Sequence, residues 1–330
     1  MSASSFTIPV ANTRRMFDPT EVERKLQKLT SLNEESARQL RPLYEKMLER
    51  GPERFVVKPC GLPSLDGLYD SLPNFAEVID DIKRQLALAV AGSDPLELTP
   101  MLLVGPPGVG KTHFAKQLAD LLGTGMGFIS LGSLTGGFVL GGSSSQWRGA
   151  KPGKVFDTLV NENWANPVMV LDEVDKASGE ATYDPLGALY TLLEHDTASR
   201  FVDEYADVAV DASQVIWVAT ANDVRPIPDA IVNRMNVFEI QPPSREAARR
   251  IAASLYASIR GAHDWGKLFQ PECTADVLDL LAVMAPREMR RALNTAFGNA
   301  RLANRSDLRT EDLPPKSDGG RGIGFLAHGR

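Results

Sequence analysis

Residues 101–112 read MLLVGPPGVGKT, an apolar run, then prolines and glycines, then a lysine and a threonine. The run Met101–Val104 predicts a buried strand, and Phe114, Leu118 and Leu121 after it mark the apolar face of a helix. Between them, Gly105–Thr112 fits G-x-x-x-x-G-K-[ST], the spacing of a phosphate-binding loop. Each residue type has a reason to be there. Glycines let backbone N–H groups close around phosphate oxygens, and the helix start adds a favourable dipole. Lys111 can reach the terminal phosphates, and the Thr112 hydroxyl can hold Mg²⁺. The candidate nucleotide-binding residues are Gly105, Pro106, Pro107, Gly108, Val109, Gly110, Lys111, Thr112 and the adjoining His113. An ordinary glycine-rich turn with an exposed lysine is the competing reading, and the flanking strand and helix weigh against it.

A second apolar run, Val168–Leu171, ends in Asp172-Glu173 within VMVLDEVD. Consecutive apolar residues suit a strand buried on both faces of a parallel sheet. An Asp at its carboxyl end can hold Mg²⁺ through water, and a Glu beside it can orient and polarise the attacking water. Alone, this acidic pair would be a solvated strand end. Paired with GPPGVGKT it specifies a Walker B strand and nucleotide hydrolysis, with ATP and Mg²⁺ as the ligands. Further runs at Phe128–Leu131, Val215–Thr220 and Val237–Ile240 alternate with helical stretches. They predict an α/β fold with a five-stranded, mostly parallel sheet, helices on both faces and the nucleotide at the strands' carboxyl ends. VIWVATAN places Asn222 just past one such end, within reach of the terminal phosphate or the catalytic water, while Trp217 inside that strand reads as core.

Composition narrows the classes. The 330 residues are 43% hydrophobic and 24% charged, the balance of a globular protein with room for two packed domains. No apolar run approaches the roughly 18 residues of a spanning helix. The start, MSASSFTIPVANTRR, has no adequate apolar core for a secretory signal, so the cytoplasm is the expected compartment and no membrane partner is expected. Cys60 and Cys273 lie far apart without metal-ligand spacing, and both read as inert packing residues. With 36 Lys plus Arg against 42 Asp plus Glu, there is no overall electrostatic footprint for nucleic acid.

The order and spacing of GPPGVGKT, LDEVDK around Asp172, Asp184-Pro185, TAN ending at Asn222 and IPDAIVNRM ending at Met235 resemble a known family. It is the AAA+ ATPases, and within them the ATPase module of Lon-type proteases. The resemblance runs from about Leu68 to the C-terminus. It implies that Lys111 and Thr112 are the Walker A pair, Asp172 and Glu173 the Walker B pair, and Asn222 sensor 1. Arg234 would be the arginine finger projecting into a neighbouring subunit's site, although Asn233 stands where the family usually has Asp. Arg287 in APREMRRAL would be the sensor 2 arginine of a helical lid, with Arg290 and Arg291 as alternative registers. Asn74 and Phe75 would lie near the adenine, and the chain would assemble as a homo-oligomeric ring, a hexamer.

The same resemblance gives a role to SSSQWRGAKPG. After Ser130-Leu131-Gly132, it aligns Trp147 with the pore-loop aromatic that grips a protein substrate, and puts Arg148 where the family has an aliphatic partner. A Trp folded back onto the domain is the competing reading.

The expected organisation has four parts. Residues 1–67 are an extension with an unstructured start, helices over about 20–50 and a linker from Gly51. Residues 68–241 form the large nucleotide-binding domain, 242–315 a helical lid opened by a Ser244 cap, and 316–330 a tail. The extension reads equally as a dock for substrate or adaptor and as a helical brace. The lid arginines, from Arg287 to Arg309, read as a solvated or intersubunit face, since only Phe297 interleaves with them as nucleic-acid stacking would require. The Ser-Lys protease domain of the Lon proteins is not expected here. The expected function is ATP-driven unfolding or remodelling of protein partners without proteolysis of its own, with docking of a separate protease left open. A nucleotide-switched assembly scaffold or regulator and a nucleic-acid-associated ATPase are the alternative classes.

Overall fold

The computed structural model describes residues 12–29, 34–92, 95–133, 138–144, 149–177 and 184–315. Its strands, in chain order, are β1 (Asn12–Arg15), β2 (Glu53–Val56), β3 (Met101–Val104), β4 (Met126–Ser130), β5 (Val168–Asp172), β6 (Phe201–Val202), β7 (Ala209–Val210), β8 (Ile216–Ala221) and β9 (Asn236–Glu239). Five of them form one sheet in the order β4-β5-β8-β3-β9, and every pairing in it is parallel.

Alternation along the strands explains why the runs are apolar throughout. Leu102, Met169, Leu171, Trp217 and Ala219 belong to one core, and Met101, Leu103, Val168, Val170, Ile216 and Val218 to another. Successive side chains point to opposite faces, so a strand covered on both sides needs apolar residues at every position. One face packs on helices Ala76–Ala91 and Lys111–Leu122 through Val78, Ile82, Leu86, Phe114 and Leu118. The other packs on helix Lys154–Asn161 through Val155, Phe156 and Leu159.

The N-terminal segment departs from expectation. Residues 12–17 were expected to lack structure and 51–68 to be a linker. Instead β1 pairs antiparallel with β2, from Asn12↔Val56 to Arg15↔Glu53, across helices Pro19–Lys28 and Glu34–Arg50. Met16, Phe17, Val22, Leu40 and Met47 are buried in the same core as Phe156 and Trp217, so the segment braces the α/β unit. Buried Arg54 donates to the carbonyls of Leu159 (3.1 Å) and Val160 (2.5 Å), closing the carboxyl end of helix Lys154–Asn161. A strand as polar as NTRR carries no local signal, because a distant partner makes it a strand. Cys60 is also exposed rather than packed, while Cys273 is partly buried.

Chain contacts divide into two compact units, Met1–Pro242 and Pro243–Arg330. The second is helical, built from Arg245–Ala262, Ala275–Leu281 and Pro286–Leu302. Ala252, Tyr256, Val277, Met289, Leu293 and Phe297 form its core, with Tyr256 stacked on Phe297 at 5.1 Å. Ser244 caps the first helix, its Oγ accepting from Ala247 N–H at 3.2 Å. Among the described residues no helix is long and apolar enough to cross a membrane.

Candidate nucleotide site

The loop after β3 requires its glycines. A Cβ at Gly105 would stand 2.3 Å from the Ile240 carbonyl oxygen. Gly108 and Gly110 occupy the left-handed region, at φ +85 and +108. They deliver the chain into helix Lys111–Leu122, whose amino end no side chain caps. The first turn of a helix has no carbonyl partners of its own for its N–H groups, so an uncapped amino end such as this suits an anion.

Lys111 is 9% exposed. Its Nζ donates to the carbonyls of Gly105 (2.5 Å) and Pro106 (3.2 Å) and to Asn222 Oδ1 (3.2 Å). Burial lowers its pKa below that of an ordinary lysine, while the carboxylates of Asp175, Asp172 and Glu173 pull the other way. The ammonium thus lies across the loop's own carbonyls, where phosphate oxygens would be better partners.

Asp172 and Glu173 end β5 beside this lysine. Thr112 Oγ1 donates to Asp172 Oδ1 at 3.1 Å and Thr220 Oγ1 to the same oxygen at 2.7 Å. Glu173 N–H donates to Thr220 Oγ1 at 3.1 Å, and Glu173 itself is left-handed at φ +59. Its Oε1 pairs with Lys176, and a Cβ at Gly132 would come within 2.4 Å of its Oε2. Asn222 N–H donates to Asp175 Oδ2 at 3.1 Å, leaving Asp175 Oδ1 buried without a hydrogen-bond partner. Among the described residues no cluster of His, Cys, Asp and Glu is poised to cage a metal. Mg²⁺ typically takes one or two protein oxygens and completes its shell with phosphate and water, which the Thr112–Asp172 pair fits.

The family model of the ATPase family associated with various cellular activities (AAA) matches residues 101–243, spanning this loop and both carboxylates. This segment is an AAA module. Over 166 residues, half of this chain, it is 40% identical to the peroxisomal Lon protease homolog 2 of Spinacia oleracea, of which the match covers 19%. Over 165 residues, 49% of this chain, it is 36% identical to the Lon protease of Finegoldia magna, covering 21% of that protein. The chain therefore spans about a fifth of the length of these curated relatives. In structure, the S. cerevisiae Hsp104:casein complex shares the fold, with a TM-score of 0.57 at 17% identity over 73% of this chain and 48% of that one.

The AAA module gathers Lys111, Thr112, Asp172, Glu173 and Asn222 at the carboxyl ends of the adjacent strands β3, β5 and β8. Asn74 adjoins them, its Nδ2 donating to the carbonyls of Gln241 (3.2 Å) and Val109 (3.4 Å), with its Oδ1 buried and unpartnered. Phe75 is fully buried and stacks on Phe114 at 5.0 Å, so it supports the loop's helix from beneath.

Arg234 lies elsewhere. It precedes β9, where Asn236 aligns with Met101 at the amino end of β3, whereas the phosphate loop leaves the carboxyl end. A strand of this length separates the two edges by roughly 10 Å or more. The Arg234 guanidinium pairs with Glu194 and the Ala230 carbonyl rather than with this site. Arg287, Arg290 and Arg291 are exposed on helix Pro286–Leu302 of the second unit. Trp147 and Arg148 lie outside the described residues.

Sequence reasoning did not single out Thr220, Asp175 or Lys176. Thr220 carried a faint signal, a hydroxyl in the otherwise apolar IWVATA.

Proposed function

We propose that this chain is an ATP-hydrolysing AAA+ ring ATPase that unfolds or remodels protein partners. The convergence of Lys111, Thr112, Asp172, Glu173 and Asn222 on one end of the parallel sheet carries the hydrolytic part. Lys111 neutralises terminal phosphate charge, Glu173 accepts the proton of the attacking water, and Asn222 orients that water or the phosphate. Thr112 and Asp172 would hold Mg²⁺, which would supply further charge neutralisation at the phosphates.

Assembly of several copies into a ring, a hexamer by the resemblance to Lon-type modules, is supported by the place of Arg234. An arginine on the sheet's opposite edge can serve a nucleotide only in a neighbouring copy. Protein remodelling is supported by the 40% identity to a relative named Lon protease, with Trp147 and Arg148 assigned to gripping the substrate. We assign the cytoplasm as the compartment.

Calorimetry and a steady-state ATPase assay test the site. Lys111→Ala is expected to abolish ATP binding, and Glu173→Gln to bind ATP while hydrolysing it very slowly. Wild-type affinity in the first variant or wild-type turnover in the second overturns the reading. Glu173→Gln, loaded with ATP, is also the bait for protein partners.

A further inference from the structure

We propose that Thr220 is the positioning residue that sets the two acidic side chains of the site relative to each other. This assignment rests on the hydrolytic reading of the site. Thr220 is 1% exposed, in a strand whose other residues are apolar and buried on both faces. Packing alone favours valine there, which has the same shape and no hydroxyl to desolvate.

The hydroxyl works in both directions. It donates to Asp172 Oδ1 at 2.7 Å and accepts from Glu173 N–H at 3.1 Å. Its single hydrogen goes to the carboxylate, so only a lone pair can meet the peptide N–H. Asp172 Oδ1 receives a second hydroxyl, from Thr112 at 3.1 Å, and is thereby fixed between strand β8 and the helix that follows the phosphate loop. Glu173 stands at φ +59, an uncommon conformation for a residue with a side chain. The bond to Thr220 pins the peptide at which that turn begins. One hydroxyl thus holds the carboxylate on the magnesium side and the backbone from which the water-activating carboxylate projects. Without it, a carboxylate oxygen loses a donor and a peptide N–H loses its acceptor, and both groups are free to turn.

The test uses the full chain as Thr220→Val, Thr220→Ala and Thr220→Ser. Its readouts are thermal melting, binding of a fluorescent ADP in EDTA and in Mg²⁺, and steady-state ATPase. Thr220→Val is expected to bind ADP in EDTA like wild type. It should lose about 10–100-fold in kcat and in the Mg²⁺-dependent gain of ADP affinity, the range for residues that orient a metal's ligands. Thr220→Ser, which keeps the hydroxyl, should restore most of both. If valine does not fold, the difference between serine and alanine isolates the hydroxyl. Wild-type kcat and Mg²⁺ response in Thr220→Val or Thr220→Ala overturns the assignment, and so does a serine variant as defective as alanine. A wild-type chain that binds no nucleotide overturns the hydrolytic reading itself, whereas an active wild type with an unaffected valine variant overturns the role of Thr220 alone.

Discussion

Arg234 Nε lies 2.8 Å from Glu194 Oε1, and the same guanidinium sits 5.9 Å from the centre of the Tyr190 ring. The contacts of this cation, at the far end of the sheet from the phosphate loop, thus come from its own chain. Arg234→Ala should leave ATP binding intact and cut hydrolysis by up to roughly 10³-fold, as loss of an arginine finger does. Mixing it with Lys111→Ala should restore part of the turnover, wherever a wild-type Arg234 meets an intact loop. Mixtures that never exceed the sum of the separate variants, with subunit exchange verified, exclude action in trans.

Glu194→Gln separates orientation from stability. A partly exposed ion pair contributes only about 0–1 kcal/mol, so the melting temperature should hardly move. If Glu194 orients the finger, kcat falls while ATP affinity stays. A fall in melting temperature with unchanged kcat would show the pair to be structural.

The loop glycines should differ in cost. At Gly110, a Cβ meets a strained φ of +108 and stands 3.2 Å from Leu72 Cδ2, whereas at Gly108 it meets a φ of +85 and open space. Each strained alanine costs on the order of 1–3 kcal/mol, and contact adds to that at Gly110. Calorimetry should rank ATP affinity as wild type, then Gly108→Ala, then Gly110→Ala. Equal affinities would mean that the contact with Leu72 is harmless, and the reverse order would contradict this ranking of the two glycines.

Asp203 gives the fold a pH dependence. It is 0% exposed, and burial raises its pKa to about 6 despite N–H donors from Ala206, Gly153 and Tyr205. A carboxyl raised from 3.8 binds its proton more tightly in the folded chain, so its contribution to stability grows as pH falls from about 6 toward 4 and is lost as pH rises through 6. Melting curves across that window should show wild type gaining on Asp203→Asn toward acid. A gap that closes toward acid would contradict the raised pKa.

Asp203 also anchors the base of the segment that carries Trp147. Gly153 N–H donates to its Oδ2 at 2.7 Å, and Ser143 N–H donates to the Lys151 carbonyl at 3.2 Å. If Trp147 grips substrate, Trp147→Ala should spare basal ATPase and melting temperature while removing stimulation by a protein partner. Trp147→Phe should retain much of that stimulation, because grip needs apolar bulk more than an indole N–H. A destabilised Trp147→Ala with normal stimulation would place the indole against the domain instead.

What the sequence by itself determined lies within short windows. Met101–Val104 and Val168–Leu171 were readable as strands because both faces are buried, which makes every residue apolar. Gly105–Thr112 was readable because the loop's residues are chain neighbours, and the Ser244 cap because it acts on Ala247 three residues on. Tertiary structure decided whatever depends on a distant partner. It paired the polar NTRR with Glu53–Val56, joined Thr220 to Asp172 and Glu173, set Arg234 against Glu194, and buried Asp203. Backbone sterics and side-chain periodicity are written into neighbouring residues, whereas the partner of a strand, a hydroxyl or a charge is set by which elements the sheet order brings together.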